Sequence, residues 1–166
     1  IVATPTYDHE EVVKEALLNG KHVFVEKPLA KSMSASDRLY RLAEEKKRLL
    51  YIGFNRRSDP QIMRLKEDVQ NRIYGEPLYV VVICRDYPFP PDNYLKTCGG
   101  LFRDCVIHDI DCICDLLSTK IASVNATITE NQENSFVEFR FENSMRGVFV
   151  HSRHAESYDQ RICIFC

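Results

Sequence analysis

The sequence predicts two units of different class: an α/β segment with a parallel sheet over residues 1–55, then an α+β segment over residues 56–166. Three observations predict this. Short apolar runs alternate with amphipathic helical stretches in the first third of the chain. A polar break, Asn55-Arg56-Arg57-Ser58-Asp59-Pro60, follows. Beyond it Val137, Phe139 and Phe141 alternate with Glu138, Arg140 and Glu142, the period-two pattern of an antiparallel strand with one solvated face.

Taken in order, Ile1 to Ala3 reads as the tail of a strand running into Thr4-Pro5-Thr6. Asp8 is placed to cap a helix whose apolar face is Val12, Val13, Ala16 and Leu17, and Asn19-Gly20 is its stop signal. His22 to Val25 is a short buried-type strand closed by Pro28. Ser32 or Ser34 caps a second helix with Leu39, Leu42 and Ala43 at helical spacing, and the run Leu49 to Phe54 supplies another strand. In the second unit a helix carrying Ile62, Met63, Leu65 and Val69 leads through Gly75-Glu76-Pro77 to a strand over Leu78 to Cys84. A Pro-rich loop then reaches Gly99-Gly100 and a helix ending near Leu117. Strands follow over Ile121 to Thr129, Phe136 to Glu142 and Met145 to His151, the last two joined by a turn at Asn143-Ser144. Residues 161–166 are again strand-like.

Composition excludes several classes. In 166 residues, 22 Lys and Arg face 24 Asp and Glu, a net charge of −2 without a long basic run. That balance argues against nucleic acid as a partner, because phosphate binding rests on clustered cations. A 45% hydrophobic content is enough to build a core. With no apolar run of about 18 residues, no transmembrane helix is expected. Ile1 to Pro5 carries none of the marks of a signal peptide. Seven cysteines, four of them at Cys98, Cys105, Cys112 and Cys114, are an odd and crowded set. They read as free thiols of a cytoplasmic protein. Cys112-x-Cys114 is a poor zinc signal, since structural sites space their ligands C-x2-C with a second pair, so no metal is expected.

Two places carry chemistry. Glu26-Lys27-Pro28 closes a buried strand, and ligands of open α/β sheets bind beyond the carboxyl ends of strands. A lysine there can hold a hydroxyl or stabilise a developing oxyanion, or it can belong to a salt-bridged surface turn. The second place is the helix after Gly99-Gly100. At about 100° per residue, Asp104, His108, Asp111 and Asp115 share one stripe, and Val106, Ile110, Ile113 and Leu117 lie opposite. A carboxylate one turn before an imidazole can orient a base and raise its pKa, although an amphipathic helix also shows such a face when it is merely solvated. Arg56 and Arg57 can clamp a ligand or pair with nearby acids. His9, near a helix start, is expected at the surface, and His22, His151 and His154 have no partner that spacing identifies.

The order of these pieces resembles a known family. Thr4-Pro5-Thr6 with His9, Gly20 to Ala30 with its Glu26-Lys27-Pro28, Gly53-Phe54-Asn55-Arg56-Arg57, and Gly99-Gly100-Leu101-Phe102 leading to Asp104-x-x-x-His108-Asp109 are similar to the Gfo/Idh/MocA oxidoreductases. Within them, the inositol 2-dehydrogenase branch is the nearest likeness. The resemblance implies part of a Rossmann domain over residues 1–55 and a substrate-binding and oligomerisation domain, with an open and mainly antiparallel sheet, over 56–166. It implies NAD or NADP as cofactor, a cyclic polyol or sugar as substrate, and a homo-oligomer. By the same likeness, Lys27, Asp104 and His108 are catalytic. Thr4, Pro5, Thr6, Glu26, Lys27 and Pro28 line the cofactor, and Arg57 and Asp111 contact substrate.

The glycine-rich G-x-G-x-x-G turn that binds a dinucleotide pyrophosphate does not occur in this sequence. The strand-like start and end read as those of a fragment, with roughly two βαβ units of about 30 residues each expected before Ile1. The fragment alone is therefore expected to be inactive. The alternative is a non-catalytic relative or truncated product acting as a sugar-binding or protein-interaction module.

Overall fold

The computed structural model describes residues 1–166. Its first unit is a small parallel sheet. β1 (Val23–Val25) pairs in parallel with β2 (Leu50–Ile52), and Val2 forms a single parallel bridge to Val25. Two helices cover it: α1 (His9–Leu18), entered through a 3-10 turn at Thr6–Asp8, and α2 (Met33–Glu45). Asp8 makes no side-chain cap, whereas Ser32 Oγ accepts from the Ala35 amide and caps α2. Gly20, at φ +71°, ends α1 with its amide on Leu17 O at 3.0 Å and the Lys21 amide on Ala16 O at 3.0 Å. This left-handed stop is one that glycine adopts without steric cost. Val2, Val13, Leu17, Val25, Leu29 and Leu39 form the core of this unit.

The second unit starts at a 3-10 turn, Asn55–Ser58, followed by α3 (Pro60–Gln70), which Asp59 caps through the Gln61 and Ile62 amides. No residue of α3 is fully buried, and Met63 is exposed. The strands are β3 (Tyr79–Arg85), β4 (Ile121–Ile128), β5 (Asn134–Phe141), β6 (Arg146–Ser152) and β7 (Asp159–Phe165). They form one sheet in the order β4-β5-β6-β3-β7. Every pairing is antiparallel except β3 with β6. The β5–β6 turn at Asn143-Ser144 forms as the sequence predicts, with Ser144 at φ 70°.

Two short helices complete the unit. α4 (Asp92–Leu95) lies in the Pro-rich loop, and α5 (Ile107–Leu116) continues from a π-helical turn at Phe102–Val106. Val106, Ile113, Val80, Val82, Val137, Phe139, Phe141 and Phe149 build the core between α5 and one face of the sheet. The opposite face is less polar than β5 alone predicts, because β3 and β6 are apolar on both sides: Val81, Ile83, Val148 and Val150 are half-buried there.

The π turn alters the phase of the helix. It closes i→i+5 bonds rather than i→i+4, so 100° per residue does not carry from Asp104 into α5. Asp109, Cys112, Ile113 and Leu116 form the buried face with Val106, while Ile110 is only half-buried.

Candidate active site

Lys27 follows β1 at its carboxyl end and reaches the first turn of the π-helical segment. Its Nζ donates to the Asp104 carbonyl at 2.8 Å and to Asp104 Oδ1 at 3.0 Å. The pair links the two units, and both side chains are largely sheltered, at 17% and 11% exposure. Around them lies a cavity of about 260 Å³. Its walls are Thr4, Pro5 and Thr6, then Glu26, Lys27 and Pro28, and across from these Tyr94, Thr97, Cys98 and Asp104. The predicted cofactor-lining residues and two of the three predicted catalytic residues thus face one cleft.

The cleft floor is set by a residue expected at the surface. His9 is 1% exposed, with Nε2 2.8 Å from the Thr4 carbonyl and Nδ1 2.8 Å from the Pro28 carbonyl. It is buried because α1 turns its first residue inward between the Thr4 segment, which follows the Val2 bridge, and the Pro28 loop, which follows β1. One imidazole spans both loops and holds their spacing.

Asp104 does not orient His108. Its carboxylate instead accepts from Lys27, from the Tyr94 hydroxyl at 2.8 and 2.9 Å, and from Arg153 at 2.8 Å. Arg153 is 1% exposed and also donates to Glu133 at 3.0 Å, so its planar fork bridges two acids. Burial pushes the Tyr94 hydroxyl above its ordinary pKa, and the Asp104 charge adds to this. Desolvation pushes the half-buried Cys105 thiol up to about 12.

His108 stands edge-on to Phe54, 6.4 Å between ring centres. Its Nδ1 is buried without a hydrogen-bond partner. Burial, then the charges of Lys27 and Arg56, hold its pKa below the ordinary 6.5. A neutral imidazole with an unclaimed nitrogen can accept a proton at neutral pH.

Behind His108 sits a buried polar cluster that spacing did not reveal. Asp109 is 1% exposed, bonded by Arg56 on one oxygen and by His151 Nε2, at 2.8 Å, on the other. The Cys84 Sγ, Asp109 and His151 ligand atoms lie within 4.8 Å of one another. The Arg56 guanidinium already supplies the cation at this corner, and burial pushes the Cys84 thiol up to about 12. Neither fits a divalent ion.

Arg57 and Asp111, predicted to contact substrate, meet each other in a bidentate pair at 2.7 and 2.5 Å. They line a separate hollow of about 300 Å³ with Tyr40, Tyr51 and Phe54. Asp115 joins Lys66 at 2.9 Å. Tyr94 and Arg153 were missed because neither stands in a periodic pattern with the residues it meets. The only sequence signal for Asp109 was its place beside His108.

All seven cysteines are free. No helix is long and apolar enough to cross a membrane.

Comparison with known proteins agrees with this architecture. Residues 1–54 match the model described as the Gfo/Idh/MocA oxidoreductase family, NAD-binding Rossmann fold, and residues 62–166 match its Gfo/Idh/MocA C-terminal domain. The chain is 34% identical to a myo-inositol 2-dehydrogenase of Thermotoga maritima, covering 99% of this chain and 53% of that protein. It is 31% identical to an inositol 2-dehydrogenase of Rhizobium meliloti, covering 98% and 52%. A crystal structure of apo scyllo-inositol dehydrogenase from Lactobacillus casei superposes with a TM-score of 0.88 at 26% identity, over 98% of this chain and 52% of that one. The chain spans about half the length of the curated relatives it matches. Two sheets in this order, joined by a lysine–aspartate contact and matched along most of the sequence by the two family models, make the chain a member of the Gfo/Idh/MocA oxidoreductase family.

Proposed function

We propose that the protein containing this chain is an NAD- or NADP-dependent dehydrogenase that oxidises a secondary hydroxyl of a cyclic polyol, inositol-like, or of a sugar. Residues 1–55 are its cofactor half and residues 56–166 its substrate half. The observation that carries this reading is the Lys27–Asp104 contact inside a cleft walled by the loop that follows β1 and by the Thr4–Thr6 segment that follows the Val2 bridge. The inositol dehydrogenase names of the relatives support the substrate class.

A nicotinamide dinucleotide fits this donor set. Glu26 to Pro28 stand at the carboxyl end of β1, and Thr4 to Thr6 follow the parallel bridge of Val2 to that strand, at the edge where such sheets bind their ligands. These six residues would hold the nicotinamide end. When bound, the dinucleotide supplies the acceptor for the hydride that leaves the carbinol carbon.

The chain's own residues handle the oxygen and the proton. Lys27 spends two of its three N–H donors on Asp104 and keeps one for the reacting hydroxyl. Its charge favours alkoxide character there. His108 takes the hydroxyl proton on its imidazole, whose Nδ1 has no hydrogen-bond partner in the protein. Its depressed pKa keeps it in the base form at neutral pH. Asp104 acts on Lys27 and not on the imidazole. Arg57 and Asp111, paired with each other in the separate hollow, take no part in this step.

In the same reading the protein is cytoplasmic, consistent with free thiols. It has no nucleic-acid or membrane partner, and it pairs with copies of itself across the outer face of the five-stranded sheet, where Tyr79, Phe136 and Phe165 are exposed.

The test is to assay the complete reading frame with inositols and aldoses and either NAD or NADP, following reduced nicotinamide. Turnover that falls at least about 100-fold in His108→Ala and Lys27→Ala supports the reading. Full-rate variants overturn the residue roles, and an intact protein that binds no nicotinamide cofactor overturns the dehydrogenase reading.

A further inference from the structure

Tyr94 stands in the same cleft as Lys27. Its hydroxyl donates to both oxygens of the Asp104 carboxylate, 2.8 Å from Oδ1 and 2.9 Å from Oδ2. Lys27 reaches the same Oδ1 at 3.0 Å. The phenol and the ammonium are therefore neighbours on one carboxylate oxygen. Tyr94 is 44% exposed, and no other group in the protein bonds its hydroxyl, so its ring forms a wall of the cleft rather than part of a core.

A tyrosine hydroxyl carries one proton and accepts through its oxygen. Here the proton is committed to Asp104, a charge-assisted bond of the stronger kind. The remaining lone pair is unclaimed, and Lys27, bonded to the same Asp104 Oδ1, has one N–H left over. An acceptor beside a cationic donor matches two neighbouring hydroxyls, one giving a hydrogen bond and the other receiving one. A ligand with an isolated hydroxyl satisfies only Lys27. Burial and the Asp104 charge keep the phenol in its neutral form, so this acceptor does not change with pH in the neutral range.

We infer that Tyr94 is a substrate-binding residue whose phenol oxygen accepts a hydrogen bond from the hydroxyl next to the one Lys27 holds, and that it selects ligands with neighbouring hydroxyls. The inference rests on the dehydrogenase reading. It assigns to the Pro-rich loop carrying α4 a direct part in specificity.

The experiment compares the complete wild-type protein with Tyr94→Phe, which keeps the ring and its packing. Substrates are myo-inositol and the series of its monodeoxy analogues. For myo-inositol the variant is expected to raise KM about three- to tenfold, the worth of one neutral hydrogen bond. The kcat should change less than about threefold, and cofactor affinity should stay unchanged. Against one analogue in the series the wild type should already show the loss, and Tyr94→Phe should add nothing to it, because the bonded hydroxyl is gone from the ligand. A merely structural role would lower activity equally against every analogue. An active wild type with an unchanged KM in Tyr94→Phe, or with equal losses across the series, overturns this inference alone. A wild type without nicotinamide-dependent turnover of any polyol overturns the dehydrogenase reading and this inference with it.

Discussion

Lys27 and Asp104 stand 77 residues apart in the chain, and their side chains meet at 3.0 Å. The contact closes the cleft between the parallel and antiparallel units. Asp104 is bonded by Arg153 as well. Removing the lysine therefore leaves a carboxylate still paired with Arg153 and Tyr94. Lys27→Ala is expected to keep the fold of the complete protein while lowering kcat about 100- to 1000-fold. Steady-state kinetics with a parallel melting curve checks this, and a large fall in melting temperature would make the loss structural.

The depressed pKa of His108 has a definite sign. The folded chain holds this proton less tightly than the unfolded chain does, so the unfolded state binds more protons between the lowered midpoint and the ordinary 6.5. The His108 contribution to stability therefore grows as pH rises through that window and is complete above it. NMR titration of the imidazole should give a midpoint below 6.5, and the pH–rate profile should level off at its upper side. A midpoint above 6.5 would contradict the burial and the two cations that cause the shift.

Asp109 is the buried acid between Arg56 and His151. Asp109→Ala strands the Arg56 charge, which is 21% exposed at its side chain, and removes the partner of His151. Breaking a buried pair from one side costs about 3–5 kcal/mol. Urea unfolding should show a loss of that order in Asp109→Ala and a smaller one in Asp109→Asn, which keeps an acceptor for Arg56.

Gly147 lies inside β6, where a Cβ would stand 3.0 Å from Phe141 Cε2 and 3.1 Å from Val80 Cγ1. Both neighbours are buried core residues and cannot withdraw without moving the sheet. Gly147→Ala should cost about 1–3 kcal/mol, the usual penalty of overpacking. Equilibrium unfolding with an unchanged midpoint would show that the sheet yields.

Much of the fold was legible before the structure. Periodicity separates the strand–helix alternation of the first unit from the Val137, Phe139, Phe141 alternation of the second, because burial of one face imposes a period of 3.6 or 2 on the chain itself. Turn chemistry placed Gly20 and Asn143-Ser144, since backbone angles there depend on the residues that adopt them. Lys27 and Asp104 were readable as site residues from motif order.

What the tertiary structure decided is which charges meet. Periodicity assigned Asp104 to His108, but a π turn broke the phase, and Lys27, Tyr94 and Arg153 took up the carboxylate. His9 went from an expected surface residue to the staple between the Thr4 and Pro28 loops, and Arg56 and Arg57 found Asp109 and Asp111. The sequence by itself determined the two sheets and where the cleft opens, because local propensity and hydrophobic period act along the chain. Packing decided the partners within that cleft, because buried polar groups must be paired, and the groups that pair them come from wherever the fold brings a side chain within about 3 Å.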